Sequence, residues 1–201
     1  MRIESALLVS LLSILLLACD KAKEPPIVPP PLPPMPSTGS LANLVNKHYN
    51  ADIINFDGFG PAKFGSNEES VRMSWGRPLN ASKPAIGATC YYLYMDKLPE
   101  HQQGIAFMLE DGQFVRYDVG DTKQVAPGNI VVGDSATSVL QAHAGHVENL
   151  PHKYIQGAHT LVVTPVEQTN ARLIFETDAN DTIVNWRIGV PPQIYYVEGC
   201  S

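Results

Sequence analysis

The chain repeats itself, and this limits its fold more than any other feature. Phe64-Gly65-Ser66-Asn67-Glu68-Glu69-Ser70-Val71 runs on to Trp75-Gly76, and Val132-Gly133-Asp134-Ser135-Ala136-Thr137-Ser138-Val139 runs on to Ala144-Gly145. Each segment sets an apolar residue, a Gly, a helix-capping side chain, a Val and a closing Gly in one order. Ser66 with Glu69 has capping-box spacing, in which each side chain accepts from the other's backbone N–H. Asp134 can cap the second helix, and Gly76 and Gly145 suit the left-handed position that closes a helix. Three strand-like runs follow each helix: residues 90–95, 105–110 and 114–119 after the first, and 160–164, 172–177 and 183–188 after the second. Asp111-Gly112 predicts a tight hairpin turn, whereas residues 177–182 form a longer loop. The spacing of about 68 residues is too long for a solenoid repeat. The two units, about residues 58–119 and 130–188, predict a two-layer α+β domain. It is a tandem repeat of a short helix plus an antiparallel three-stranded sheet, a pseudo-dimer within one chain. Val71 and Val139 are expected as equivalent core positions, each facing its own sheet.

This pattern resembles the small lipoprotein of the outer-membrane β-barrel assembly machine, the SmpA/OmlA-like group. In that group a Gly-Met-Thr-like cap opens a short helix that ends in Gly and is followed by a three-stranded sheet. Here the motif reads Phe64-Gly65-Ser66 and Val132-Gly133-Asp134, without the usual Met after the Gly. Tandem copies of such a unit also build the beta-lactamase inhibitor protein. The resemblance spans roughly residues 58–190. It implies a two-layer α+β fold and a protein-binding role, and it carries over no catalytic residue.

The N-terminus reads as an address. Arg2 supplies a basic start, and residues 6–18 form an apolar stretch broken only by Ser10 and Ser13. Thirteen residues suit the apolar region of a secretory signal and fall short of the about 20 needed to span a bilayer. Leu16-Leu17-Ala18-Cys19 resembles the bacterial lipobox, in which the Cys thiol takes a diacylglyceryl group before the signal is cut. The resemblance implies a signal peptide over residues 1–18 and lipid attachment at Cys19. Acyl chains contribute about 0.8 kcal/mol per buried CH₂, so three would anchor the chain permanently. Asp20 resembles an inner-membrane retention signal and Lys21 the kind of residue that weakens it, so the expectation is a periplasm-facing envelope lipoprotein on either membrane.

Residues 25–36 hold eight of the 17 Pro. Proline fixes φ and lacks the N–H, so neither helix nor sheet forms there. Residues 19–40 therefore read as a tether, a polyproline II spacer reaching on the order of 50 Å at about 3.1 Å per residue. The globular part is 41–201, opening with a helical pattern at Leu41, Leu44, Val45 and His48. Fourteen basic against 20 acidic residues, net charge −6, argue against a nucleic-acid binder. With Cys19 lipidated, Cys90 and Cys200 remain, and an oxidising compartment favours their pairing. That disulfide would pin the C-terminal tail onto the first unit.

Catalytic patterns fail on inspection. Gly133-Asp134-Ser135 looks like the nucleophile block of GDSL hydrolases, but no downstream Asp-x-x-His accompanies it. His143, His146, His152 and His159 with Glu148 form a loose cluster, yet Gly145 separates the first two and no Cys is free to join them. Residues 178–181 lack the Gly and terminal Glu of a calcium loop. No metal, cofactor or enzymatic activity is expected.

Strand alternation assigns faces. Phe107, Leu109, Val115, Tyr117 and Val119, with Leu173, Phe175, Val184, Trp186 and Ile188, should pack under the helices. The opposite face then carries Met108, Glu110, Phe114, Arg116 and Asp118, with Arg172, Ile174, Glu176, Ile183, Asn185 and Arg187. Of these, Met108, Phe114, Arg116, Arg172, Ile174, Asn185 and Arg187 form the candidate partner surface, mixing apolar anchors with Arg as interfaces do. Either it meets a protein partner, or the two open faces cover each other, or the tail covers one. The expected function is a lipid-anchored, non-enzymatic protein-binding module, an assembly scaffold or an enzyme inhibitor. The alternative is a small-molecule or glycan binder using Tyr91, Tyr92, Tyr94, Tyr154, Tyr195 and Tyr196 as stacking surfaces.

Overall fold

The computed structural model describes residues 49–95 and 104–200. The expected leader, Cys19, the proline tether and the helical pattern over 41–48 lie outside the described residues. Three two-residue strands, β1 (Ile54–Asn55), β2 (Gly58–Phe59) and β3 (Ala62–Lys63), make a small antiparallel sheet. The chain continues as α1 (Glu68–Trp75), β4 (Asn80–Ala81), β5 (Tyr91–Tyr94), β6 (Ile105–Glu110) and β7 (Gln113–Val119). Then come α2 (Ala136–Ala142), β8 (Val147–Pro151), β9 (His159–Val163), β10 (Arg172–Thr177) and β11 (Ile183–Gly189). A short 3₁₀ turn, Gln193–Tyr195, ends it. The fold is α+β with antiparallel strand pairing.

The six expected strands form close to their expected bounds, but they do not make two sheets. They share one eight-stranded sheet of order β4-β5-β6-β7-β11-β10-β9-β8. The two halves join where Tyr117 lies opposite Ile188, Asp118 opposite Arg187 and Val119 opposite Trp186. Each half would otherwise leave the free side of its last strand with unpaired N–H and C=O groups, and β7 and β11 satisfy each other. Strands β4 and β8 extend both ends beyond what alternation suggested.

The starts of the two helices are tied to the sheet by similar contacts. Gly65 N–H donates to Phe114 O at 2.7 Å and Phe114 N–H to Ser66 O at 2.8 Å; Gly133 N–H donates to Ile183 O and Ile183 N–H to Asp134 O, both at 2.8 Å. The N-termini of both helices are bridged to a hairpin strand or its edge, Asn67 to Gln113 and Ser135 to Thr182. The caps fall one residue later than expected. Asn67 caps α1 by accepting from Ser70 N–H, and Ser135 caps α2 by accepting from Ser138 N–H. The strand contacts just described hold the backbone of Ser66 and Asp134 one residue ahead of each cap, and the Asp134 carboxylate accepts from Val131 N–H, so neither side chain is the cap. Gly76 closes α1 at φ 71° as expected, whereas α2 closes at His143, ahead of Gly145.

Asp111 and Gly112, at φ 52° and 75°, form the expected two-residue turn with both central residues left-handed. Just beyond it the alternation breaks. Met108 pairs with Arg116 but Leu109 with Phe114, so Val115 is an extra residue. In the second half Glu176 pairs with Asn185 and Thr177 with Ile183, so Val184 is extra. These bulges correct the face assignment, because one inserted residue returns the preceding side chain to the other face. Phe114 and Ile183 belong to the main core under the helices. Val115 lies across the sheet with Cys90 and Met108, and Val184 is exposed.

The main core lies between the sheet and the helical layer. Val71 and Val139 are both fully buried, against a common core that includes Phe107, Tyr117, Phe175 and Trp186. Phe59 brings the small sheet into this core, edge-on to Phe107 at 5.1 Å between ring centres. Burial of each Val contributes roughly 1.5–3 kcal/mol.

Candidate functional site

The other face of the sheet is covered in part by the C-terminal tail. After β11 the chain turns at Pro191-Pro192, crosses the sheet and reaches Cys200, bonded to Cys90 across a separation of 110 residues. The expected disulfide is therefore present, and it fixes the tail to the first half. Ile194 is fully buried against Val162 and Ile174.

Two arginines hold the tail. Arg116 Nη1 donates to the carbonyls of Gln193 at 2.8 Å and Tyr196 at 2.7 Å. Its Nη2 donates to Tyr92 Oη at 2.7 Å, and Nε and Nη2 grip Asp118 at 3.0 Å each. Arg187 Nε donates to Ile194 O at 3.0 Å, and Nη1 meets Glu176 Oε1 at 2.7 Å. Asn185 donates to the other Glu176 oxygen at 2.9 Å, and His152 Nε2 stands 3.9 Å away. Burial opposes ionisation of Glu176, but Arg187, Asn185 and His152 outweigh it and hold its carboxyl below the usual carboxylate value. Burial likewise opposes charge on Arg116, and Asp118 and Tyr92 overcome it. Burial and the Asp118 charge push the Tyr92 hydroxyl well up, so it stays a neutral acceptor for Arg116.

This arrangement corrects the expected open surface. Met108, Phe114, Arg116, Ile174 and Arg187 are all at most 4% exposed. Phe114 is on the helical side. The others are buried on the far side: Ile174, Arg116 and Arg187 against the tail, and Met108 beside the disulfide. Arg172 is half-buried and donates to the carbonyl of Ala171 at 2.8 Å. Asn185 remains half-buried in the floor of a groove.

That groove, of about 560 Å³, runs along the tail over the seam between the two halves. Its floor carries Tyr92, Tyr94, Ala106, Asp118 and Asn185, and its tail wall carries Val197, Glu198 and Gly199. Gly199 is at φ 67°, and a Cβ there would come 2.8 Å from Tyr92 Oη, so glycine lets the tail cross this ring closely. The volume is that of a ligand site. The groove's fixed charges are already paired, which suits recognition by hydrogen bonding and packing rather than capture of a bare ion. The sequence signals for this site were partial: the expected open face held Arg116, Asn185 and Arg187, the tyrosine set held Tyr92 and Tyr94, and Cys200 placed the tail.

Other expected features sit elsewhere. Ser135 is a helix cap, and Asp134 accepts from Val131 N–H at 2.8 Å, so this pair serves structure. The histidines disperse: His143 meets the Pro127 carbonyl at 3.0 Å, His152 accepts from Tyr154 and Ile155 N–H, and His159 meets Asn149 at 2.8 Å. Among the described residues no three metal-ligating side chains gather. Asp178 accepts from Asn180 and Thr182 N–H, bonds that lower its pKa and organise the loop. The tyrosines are not one surface either. Tyr91 donates to Glu68 at 2.7 Å, its hydroxyl pushed up to about 12 by burial and by that carboxylate, while Tyr154 is exposed.

No protein-family model matches the chain, and no curated protein matches its sequence. Solved structures give distant likenesses. An extracellular protein containing a SCP domain from Bacillus anthracis aligns at 13% identity and TM-score 0.44 over 82% of this chain; the chain spans half of that protein, 50%. The uncharacterized protein yfeY from Escherichia coli aligns at 12% identity and TM-score 0.46, over 68% of this chain and 99% of that one. A DUF4309 family protein, YjgB, from Bacillus subtilis aligns at 11% identity and TM-score 0.35, over 62% and 78%. Likenesses at this level assign neither family nor function. Among the described residues no helix is long and apolar enough to cross a membrane.

Proposed function

We propose that this chain is a lipid-anchored, non-enzymatic binding module of a bacterial envelope, built by tandem duplication of an SmpA/OmlA-like unit. What supports duplication is the correspondence of the two capped helices, the paired Gly65–Phe114 and Gly133–Ile183 hydrogen bonds and the bulges at Val115 and Val184. What supports anchoring is Leu16-Leu17-Ala18-Cys19 ahead of a proline tether. The bound partner is a protein, an enzyme to be inhibited or an assembly component to be held.

The observation that carries binding is the groove at the seam of the halves. There Tyr94, Asp118 and Asn185 line the floor beside the disulfide-tethered tail, a mixture of aromatic and polar groups. The experiment is crosslinking in intact envelope followed by capture. Tyr94→Ala and Asn185→Ala should reduce capture of one defined partner at least tenfold, Tyr94→Ala with melting temperature unchanged and Asn185→Ala with a loss of about 1 kcal/mol, because Glu176 loses a donor. Equal capture by wild type and both variants would move the binding site elsewhere. A second reading, a glycan ligand, is favoured by the groove's volume and by Ser82, Tyr94 and Asn185 together. A glycan-array signal abolished by Tyr94→Ala, with no protein captured, would select it.

A further inference from the structure

The tail bears on what kind of segment this face accepts. Arg116 and Arg187 are buried beneath it, and three of their donor contacts go to main-chain carbonyls, those of Gln193, Ile194 and Tyr196. Main-chain carbonyls are common to every peptide, so this recognition depends little on sequence. One side chain, Ile194, fills an apolar seat formed by Val162 and Ile174. Both guanidinium groups are oriented by partners on the sheet, Asp118 for Arg116 and Glu176 for Arg187. The donors are therefore preorganised by groups other than the tail.

We propose that residues 192–200 are an intramolecular occupant of a peptide-binding face. On this proposal the partner presents a turned or extended peptide segment, with one apolar side chain between carbonyl oxygens, that competes with the chain's own tail. The Cys90–Cys200 bond keeps the tail at high effective concentration, so a partner segment must outcompete it or wait for it to open. This rests on the reading of the chain as a protein-binding module and adds the chemistry of the bound segment.

The test uses the full-length chain, oxidised and as Cys200→Ser, with a fluorescent peptide copying residues 191–197, Pro-Pro-Gln-Ile-Tyr-Tyr-Val. The peptide should bind Cys200→Ser at least tenfold more tightly than oxidised wild type. Amide exchange over 193–199 should speed at least tenfold in that variant, with β6, β7 and β11 unchanged. Ile194→Ala in the oxidised chain keeps the disulfide and should also raise peptide binding, which preserves the test if Cys200→Ser does not fold. Arg187→Lys added to either variant should weaken the peptide, because ammonium lacks the guanidinium fork. Equal binding to all forms, no binding to any, or unchanged exchange over 193–199 overturns the proposal. A partner captured from envelope that the peptide does not displace also overturns it, while leaving the binding-module reading intact. A peptide that binds as expected with no protein captured upholds the tail as occupant of a peptide-binding face and sinks the reading of an envelope protein partner.

Discussion

Asp118 and Arg187 lie opposite each other at the middle of the eight-stranded sheet, yet each takes its closest ionic partner from its own half. Asp118 is gripped by Arg116 at 3.0 Å and Arg187 by Glu176 at 2.7 Å. Two ion pairs thus flank the seam, and the tail closes over them.

Arg116→Ala and Arg187→Ala should each destabilise the fold by about 3 kcal/mol, because removing one member leaves the other charge buried and tail carbonyls without donors. Urea denaturation measures this, with exposed Met73→Ala as a control expected within about 0.5 kcal/mol of wild type. Losses below about 0.5 kcal/mol at both arginines would mean that the tail does not bury them in solution.

Glu176 should make stability depend on acid. Its folded pKa lies below the ordinary glutamate value, so its contribution is present above the unfolded carboxylate pKa. That contribution is lost as pH falls through the lower folded value. Melting temperature should fall more steeply between about pH 5 and 3 in wild type than in Glu176→Gln. Parallel curves would remove Glu176 from the acid response.

Gly189 faces Arg116 across β7 and β11. An added Cβ would meet Val115 O at 2.7 Å and Arg116 Cβ at 2.8 Å, so backbone would have to move. Gly189→Ala should cost about 1–3 kcal/mol and loosen the tail, read as faster exchange over 193–199. A neutral substitution would show the seam to be more compliant than its packing indicates.

Val71→Asp and Val139→Asp should each abolish cooperative folding, since an unpaired carboxylate replaces a fully buried methyl pair. Near-ultraviolet circular dichroism gives the readout. A native spectrum from either variant would contradict the shared core.

Cys19→Ala should leave an unlipidated form that no longer partitions into detergent, and intact mass should lose the acyl groups. Unchanged partitioning and mass would end the lipoprotein assignment.

What the sequence by itself determined was local. Helix positions followed from Gly and cap residues around Val71 and Val139, and the turn from Asp111-Gly112. Strand bounds followed from runs of apolar residues, and the Cys90–Cys200 bond from the scarcity of cysteines. These depend on neighbours along the chain or on redox chemistry. The tertiary structure decided the rest. Val115 and Val184 carry no mark of being extra residues, because a bulge is defined by what the opposing strand pairs with, and it moved Phe114 and Ile183 into the core. The union of β7 with β11 came from mutual satisfaction of two free edges about 70 residues apart. Arg116 and Arg187 read as surface because charge is rarely buried without partners. Of their partners, Asp118 and Glu176 come from the sheet itself once its strands pair, and the three tail carbonyls arrive only when the last ten or so residues fold back across it.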